Sequence, residues 1–134
     1  MSETNRDEGK RVAVWTVNKE EHKMKLGTLA ITRLEERMGC NLLTVLNGDG
    51  KSQGMPRLGT MLQIVCEGLK AYDKDMTLEK TYNLFDEYVE EGHCQTEFAY
   101  GPFIDLYTVS GFFPEKNKPE VKRMQKRLGV QTSL

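Results

Sequence analysis

The residues that most resemble a reaction centre are the Gly-Lys-Ser tripeptide at residues 50–52, which ends like a phosphate-binding loop. Such a loop needs a glycine five positions before its second glycine, and this chain has Val45 there. Gly54 and Pro56 also follow at once, which prevents the helix that should begin directly after the loop. We therefore do not expect nucleotide binding.

A second candidate, for calcium, begins at Asp73 and Asp75. A calcium-binding loop requires glycine at its sixth position for a sharp turn and a carboxylate at its twelfth to close the coordination. This chain has Leu78 and Leu84 at those two positions. The pattern fails twice, so no calcium site is expected.

Histidine, cysteine and carboxylate side chains do not form a catalytic or metal-binding set either. His93 and Cys94 are neighbours, but adjacent side chains on an extended chain point to opposite sides, and no second pair supplies the other ligands of a zinc ion. A turn between two helices explains this pair better. Glu90 and Glu91 are adjacent on a predicted helix, where positions i and i+1 do not face each other. We expect no catalytic residue, no metal, no cofactor and no enzymatic activity.

Length and composition indicate one domain. The chain has 134 residues, of which 38% are hydrophobic and 29% charged, as in a soluble protein. No apolar run approaches the roughly 20 residues that cross a bilayer, and no signal-peptide segment follows the polar first residues. Cys40, Cys66 and Cys94 are odd in number and widely spaced, which favours free thiols in a reducing compartment. We interpret the chain as cytoplasmic, with no membrane partner.

Charge is spread unevenly along a chain whose net charge is −1. Residues 72–91 carry seven carboxylates against two lysines, and residues 114–134 carry six basic side chains against two carboxylates. Either both segments are ordinary solvated surfaces, or the basic tail meets the acidic helix, within one subunit or between neighbours. Our hypothesis for the second case is docking on a neighbouring subunit through contacts that salt weakens.

Nucleic-acid binding is the main rival to protein binding. Two predicted helices around residues 73–75 could be mistaken for a helix-turn-helix. The second helix would have to enter a groove while carrying several carboxylates, including Glu79, Asp86 and Glu90, which the phosphates repel. We therefore expect no nucleic-acid partner.

Hydrophobic periodicity predicts a mainly α fold, a small helical domain of about four to five helices with an N-terminal β-hairpin. Residues 1–10 lack apolar side chains and are expected to be disordered. Two strand-like runs joined by a tight turn at Asn18 and Lys19 predict a hairpin over residues 12–26. An isolated hairpin is marginally stable, so it must pack on the helices of one domain, residues 11–113.

Helix start and stop signals divide the rest of that domain. Thr28 is expected to cap a first helix that ends at Gly39, and residues 41–46 form either a short helical turn or a strand. A glycine-rich loop is predicted over residues 47–54. Pro56 then lies in the first turn of a helix with an apolar face that runs to Tyr72.

Two further helices and a basic tail complete the prediction. Thr77 caps a helix that ends at Gly92, and a last helix covers about residues 95–110, with a bend or interruption at Gly101 and Pro102. Its inward side chains are expected to be Phe98, Phe103, Leu106 and Tyr107. The basic tail, residues 114–134, is predicted to be partly helical over residues 120–128.

The ordered set of sequence segments from Trp15 to Phe113 resembles the tail-assembly chaperones of long-tailed bacteriophages. The segments that carry the resemblance are residues 23–28 (KMKLGT), 31–39 (ITRLEERMG), 55–58 (MPRL) with Leu62, 78–92 (LEKTYNLFDEYVEEG) and 110–113 (SGFF). Each is weak alone, but their order is maintained along a stretch that covers about three-quarters of the chain. The hairpin departs from the family pattern at Glu20, Glu21 and His22, where glycine and tyrosine are expected.

The resemblance implies a non-enzymatic, mostly helical protein made in the cytoplasm of the infected bacterial host and absent from the mature virion. Such chaperones bind the phage tape-measure protein, keep it soluble and recruit tail-tube protein subunits during tail assembly. They tend to form a homo-oligomer, a ring or a spiral. The alternative functions are a structural phage connector or another small protein-interaction module, and after those a nucleic-acid-associated regulator.

Apolar residues near predicted helix ends are the candidates for partner binding. Phe112 and Phe113 stand beyond a helix stop, so they either fold back into the core or contact a partner. Flexible methionine side chains suit varied apolar partners. The candidate partner-binding residues are Met55, Leu58, Met61, Phe112, Phe113, Val121, Met124 and Leu128.

Overall fold

A computed structural model describes residues 11–46 and 55–113 of the chain. Its helices make up 59% of the described residues and follow a two-stranded antiparallel hairpin, which confirms the predicted mainly α fold. The predictions for residues 1–10, for the loop at 47–54 and for the tail at 114–134 lie outside the described residues.

The hairpin consists of β1 (Ala13–Val17) and β2 (Glu20–Met24). Asn18 and Lys19 connect them with positive φ angles of 54° and 64°, which is the backbone of a two-residue turn that matches the twist of the strands. The register pairs Val17 with Glu20 and Ala13 with Met24. The tight turn predicted at these two residues is confirmed.

Two helices follow the hairpin, α1 (Thr28–Met38) and α2 (Leu42–Val45). Gly27 occupies the N-cap position, so the prediction that Thr28 caps α1 was wrong by one residue. Gly39 ends α1 in the left-handed conformation, with φ 71°, as predicted. Of the two alternatives for residues 41–46, the helical turn is the one observed.

The longest of the described helices are α3 (Leu58–Lys70) and α4 (Leu78–Glu90). Arg57 is the N-cap of α3, so Pro56 precedes the helix and does not lie in its first turn. Tyr72 lies beyond the end of α3 and is 41% exposed, which corrects its predicted place on the apolar face. Thr77 caps α4, since its side chain accepts a hydrogen bond from the Lys80 amide.

The last helical stretch contains α5 (Gln95–Phe98), a π-helical segment (Ala99–Phe103) and α6 (Ile104–Val109). Pro102 lies in the π-helical segment. Proline lacks an N–H and its ring clashes with the carbonyl four residues earlier, and a wider turn relieves both constraints. The interruption predicted at Gly101 and Pro102 is confirmed, and so is the burial of Phe98, Phe103, Leu106 and Tyr107.

Trp15 forms the centre of an aromatic cluster between the hairpin and the helices. Its side chain is fully buried, and its ring centroid lies 5.0 Å from that of Phe98 and 5.6 Å from that of Tyr88. Phe85 completes the cluster at 5.3 Å from Phe98. These edge and tilted contacts hold the hairpin on α4 and α5.

Backbone contacts fix the other end of the hairpin on α3 and α6. The Lys25 amide donates to the Gly68 carbonyl at 3.2 Å, and the Leu26 amide donates to Ser110 Oγ at 2.9 Å. A Cβ atom at position 68 would lie 3.0 Å from the methyl groups of Leu106, so the absence of a side chain lets α3 approach α6 closely. None of the described helices is long and apolar enough to cross a membrane.

Candidate functional site

The structure separates the sequence-predicted partner-binding residues by depth. Met61 has no exposed surface and Phe113 is 6% exposed, so both stabilise the domain core in this conformation. Met55, Leu58 and Phe112 are half-buried and pack against that core. Phe112 lies on Tyr107, with ring centroids 4.7 Å apart. The remaining three candidates, Val121, Met124 and Leu128, lie outside the described residues.

A groove of about 420 Å³ lies beside the start of α3 and is the candidate site of this domain. Three parts of the chain form it: the C-terminal end of α1, the short helix α2 and the first turn of α3. We call it the α2 groove. Its lining residues are Arg37, Met38, Cys40, Thr44, Val45, Pro56, Arg57, Thr60 and Gln63.

Three hydrogen bonds hold α2 in place, and one of them comes from a distant part of the sequence. The buried Tyr107 hydroxyl donates to the Leu42 carbonyl at 2.8 Å, although 65 positions separate the two residues. Glu35 Oε2 accepts from the Leu42 amide at 2.9 Å, and Asn41 Oδ1 accepts from the Leu43 amide at 2.8 Å. A four-residue helix is too short to be stable alone, so these bonds define the wall of the groove.

The protonation state of Tyr107 supports this arrangement. Burial raises the pKa of its hydroxyl well above the ordinary value, with smaller contributions from Cys40 and Glu35 nearby. The hydroxyl therefore keeps its proton and remains a donor to Leu42 at any physiological pH.

Charge at the α2 groove is positive. Arg37 and Arg57 line it, and among the residues that the structure describes there, none is a carboxylate. Arg37 approaches Glu67 at 3.4 Å, but Glu67 also meets Lys70 at 3.3 Å, so this single carboxylate is shared between two cations. The groove thus combines an apolar floor, formed by Met38, Val45 and Pro56, with a cationic rim.

These properties suit a helix of another protein better than they suit a reaction. Apolar grooves accept amphipathic helices through side chains spaced three and four residues apart. Methionine side chains such as Met38 adapt to different apolar shapes.

A second hollow lies where the hairpin turn meets the C-terminal end of α4. Trp15, Lys19, Tyr88 and His93 are among its lining residues. Tyr88 stacks on His93 with ring centroids 4.4 Å apart, and burial, followed by the nearby Glu97 and Cys94, raises the pKa of Tyr88 to about 12. Trp15 Nε1 is buried and has no hydrogen-bond partner among the described residues. Because that N–H is covered, the indole donor is not accessible to a ligand in the hollow.

The glutamates near this hollow already have partners. His93 Nδ1 lies 3.0 Å from Glu97, and the side chain and backbone amide of Asn18 donate to Glu87 and Glu91 respectively. Within the part of the chain that the structure describes, no three histidine, cysteine, aspartate or glutamate side chains come together as metal ligands.

Sequence reasoning identified part of the chain around the α2 groove but not the groove. It selected Met55 and Leu58, which flank Pro56 and Arg57, and missed the contribution of Arg37, Thr44 and Thr60. A tyrosine on an inward face must find an acceptor, which was the available signal for Tyr107. The sequence does not say that the acceptor is Leu42.

Comparison with known proteins identifies a family for this chain. No curated protein and no solved structure matches this chain. One protein family, described as a family of unknown function (DUF6096), matches residues 10–130, which include the hairpin, all the described helices and most of the basic tail. The chain belongs to this family.

Proposed function

We propose that this protein is a tail-assembly chaperone of a long-tailed bacteriophage. In this role it binds the tape-measure protein in the host cytoplasm, keeps it soluble and helps to recruit tail-tube subunits. It acts by binding alone, without catalysis. The ordered sequence segments described above support the proposal, and a small helical domain with an N-terminal hairpin is the fold that the resemblance implies.

The observation that carries the proposal is the α2 groove. A tape-measure protein is long and helical, and its apolar positions aggregate unless another surface covers them. The floor of Met38, Val45 and Pro56 provides apolar contact for such side chains, and Arg37 and Arg57 lie where acidic residues flanking an apolar stripe would meet them.

The test uses two threonines that lie in the first turns of different helices. Thr60 lines the groove in the first turn of α3, and Thr96 is exposed in the first turn of α5. A glutamate in a first turn interacts favourably with the helix dipole, so both substitutions are compatible with the fold. Only Thr60→Glu places a charge and extra bulk in the groove.

The full chain is co-expressed with the tape-measure protein of the same phage genome, and the soluble fraction of that protein is measured. We expect the wild type and Thr96→Glu to keep it soluble. Thr60→Glu should weaken binding by about tenfold or more, because the buried carboxylate faces apolar groups of the client.

Each outcome has a separate meaning. If the wild type leaves the tape-measure protein insoluble, the proposed function is wrong. If the wild type works and Thr60→Glu works equally well while retaining its circular dichroism spectrum, the protein is a chaperone that binds through another surface.

A further inference from the structure

The exposed side of α4 carries an apolar pair next to a row of carboxylates. Tyr82 and Val89 are 42% and 44% exposed and lie two helical turns apart, so they share one face. Glu79, Asp86 and Glu90 lie on the adjoining stripe of the same helix and are exposed. We call these five residues the α4 face.

The carboxylates of α4 fall into two groups with different roles. Glu87, together with Glu91 just beyond the helix, accepts hydrogen bonds from Asn18 and so holds the hairpin turn. Among the described residues, none of the ion pairs includes Glu79, Asp86 or Glu90. The acidic stripe of the α4 face is therefore available to cations from outside the described domain.

The chain itself contains a segment with the complementary pattern. Residues 114–134 carry a net charge of +4, from six basic and two acidic side chains. Val121, Met124 and Leu128 are spaced by three and four residues, which is the sequence pattern of an apolar helix face. Lys122 and Lys126 flank that face.

We propose that residues 114–134 dock on the α4 face of their own subunit. The apolar stripe of the segment covers Tyr82 and Val89, and its lysines and arginines meet Glu79, Asp86 and Glu90. The proposal does not rest on the chaperone function, since it concerns only the chain's contact with itself.

Charge excludes the α2 groove as the place where this segment binds. That groove also has apolar lining residues, but Arg37 and Arg57 line it, and none of the described residues that line it is a carboxylate. A segment with a net charge of +4 is repelled there and attracted to the α4 face.

The position of the last described residues allows docking within one subunit. Ser110 is bonded to Leu26, and Lys25, its neighbour in sequence, is bonded to Gly68 near the end of α3. Thr77, the N-cap of α4, follows Gly68 by nine positions. The described chain therefore ends three residues after Ser110, which lies where the hairpin joins α3, and α3 packs against α4.

The length of the chain is sufficient for this contact. Residues 114–120 precede the apolar stripe and can span roughly 25 Å when extended, whereas α4, with 13 residues, is about 20 Å long. A tethered segment that can reach its site experiences an effective concentration on the order of millimolar. Docking in the same subunit therefore prevails over docking on another copy at the lower concentrations of ordinary experiments.

Trypsin tests the proposal on the full chain, because it cleaves after Lys122, Arg123, Lys126 and Arg127 when the segment is undocked. Cleavage of the wild type should be slow at low salt and fast at about 1 M salt, where the screening length falls to about 3 Å. The triple variant Glu79→Gln, Asp86→Asn, Glu90→Gln should be cleaved roughly tenfold faster than the wild type at low salt, because three exposed ion pairs are lost together.

A matched variant controls for the change in net charge. Glu20→Gln, Glu21→Gln, Glu36→Gln removes three exposed carboxylates from β2 and α1 and should leave cleavage as slow as in the wild type. Over an approximately hundredfold range of protein concentration, protection by docking in one subunit should stay constant. Equal cleavage of all three proteins would overturn the proposal. The proposal would also be overturned if protection from trypsin and the mass measured by light scattering both increased with protein concentration. That result would show that the segment docks on a second copy.

Discussion

The α2 groove and the α4 face both expose apolar side chains, yet they differ in shape, in charge and in how the chain builds them. The groove is concave, and Arg37 and Arg57 line it. The α4 face belongs to the outer side of a single helix, where Tyr82 and Val89 lie beside exposed carboxylates. In each region the exposed apolar side chains favour association with another surface, and the charges determine which partner binds.

The two regions also differ in what must be folded before they exist. One helix with an N-cap at Thr77 suffices to place the residues of the α4 face. The α2 groove needs α1, α2 and α3 together, and it needs Tyr107 from the far end of the domain to hold Leu42. A destabilising substitution in the domain should therefore disrupt the α2 groove before it unfolds α4.

We expect the largest change in stability from a substitution in the core that supports both regions. Leu69 in α3 is 1% exposed, so Leu69→Ala leaves a cavity and should lower the free energy of unfolding by about 2 to 5 kcal/mol. Leu29 in α1 is 63% exposed, and Leu29→Ala should change it by less than about 0.5 kcal/mol. Urea denaturation of both variants makes the comparison, and equal values would show that Leu69 is not a core residue.

A smaller effect should distinguish the groove from the α4 face. Tyr107→Phe removes the buried hydrogen bond from the hydroxyl to the Leu42 carbonyl, which should lower the free energy of unfolding by about 0.5 to 1.5 kcal/mol. Hydrogen exchange should accelerate at the amides of Thr44 and Leu46, which close the turns of α2, more than at the amides of α4.

Tyr82→Phe provides the control for this experiment, because the Tyr82 side chain is 42% exposed on α4. We expect it to leave both stability and exchange unchanged. Uniform acceleration across the whole domain in Tyr107→Phe would mean that α2 and α4 unfold as one unit, and the proposed difference between the two regions would then be wrong.

The same difference explains what the sequence could predict. Local signals sufficed for the hairpin turn at Asn18 and Lys19, for the left-handed end of α1 at Gly39 and for the cap at Thr77, since each depends on a few neighbouring residues. Periodicity alone cannot place Arg37, Thr44 and Thr60 around one groove, because that arrangement depends on how three helices pack. For the same reason, Met61 was selected as a partner-binding residue although it is fully buried.

The errors in predicting the ends of individual helices have causes in the neighbouring residues. Thr28 and Pro56 are residue types that favour helix starts, but Gly27 and Arg57 occupy the N-cap positions of α1 and α3. Tyr72 continues the apolar spacing of α3, but the helix ends before it and the chain turns toward Thr77. Spacing predicts a face only as far as the helix extends.

The smallest expected effect is a stabilisation at the end of the hairpin that holds α4. Lys19 has φ 64°, a conformation that costs most L residues about 1 to 2 kcal/mol and costs glycine nothing. Asn-Gly is the preferred sequence for this type of turn. The greater freedom of glycine in the unfolded chain offsets about 0.4 to 1 kcal/mol of the gain. Lys19→Gly should therefore raise the free energy of unfolding by roughly 0.5 kcal/mol.

Lys23→Gly, at an exposed position of β2, should lower it by about 0.5 to 1 kcal/mol, because there glycine only weakens a strand. Because Asn18 is bonded to Glu87 and Glu91, the gain from Lys19→Gly should appear as slower hydrogen exchange at the C-terminal end of α4 and not in α2. Destabilisation by Lys19→Gly would show that the Lys19 side chain contributes more to this end of the domain than its backbone strain costs.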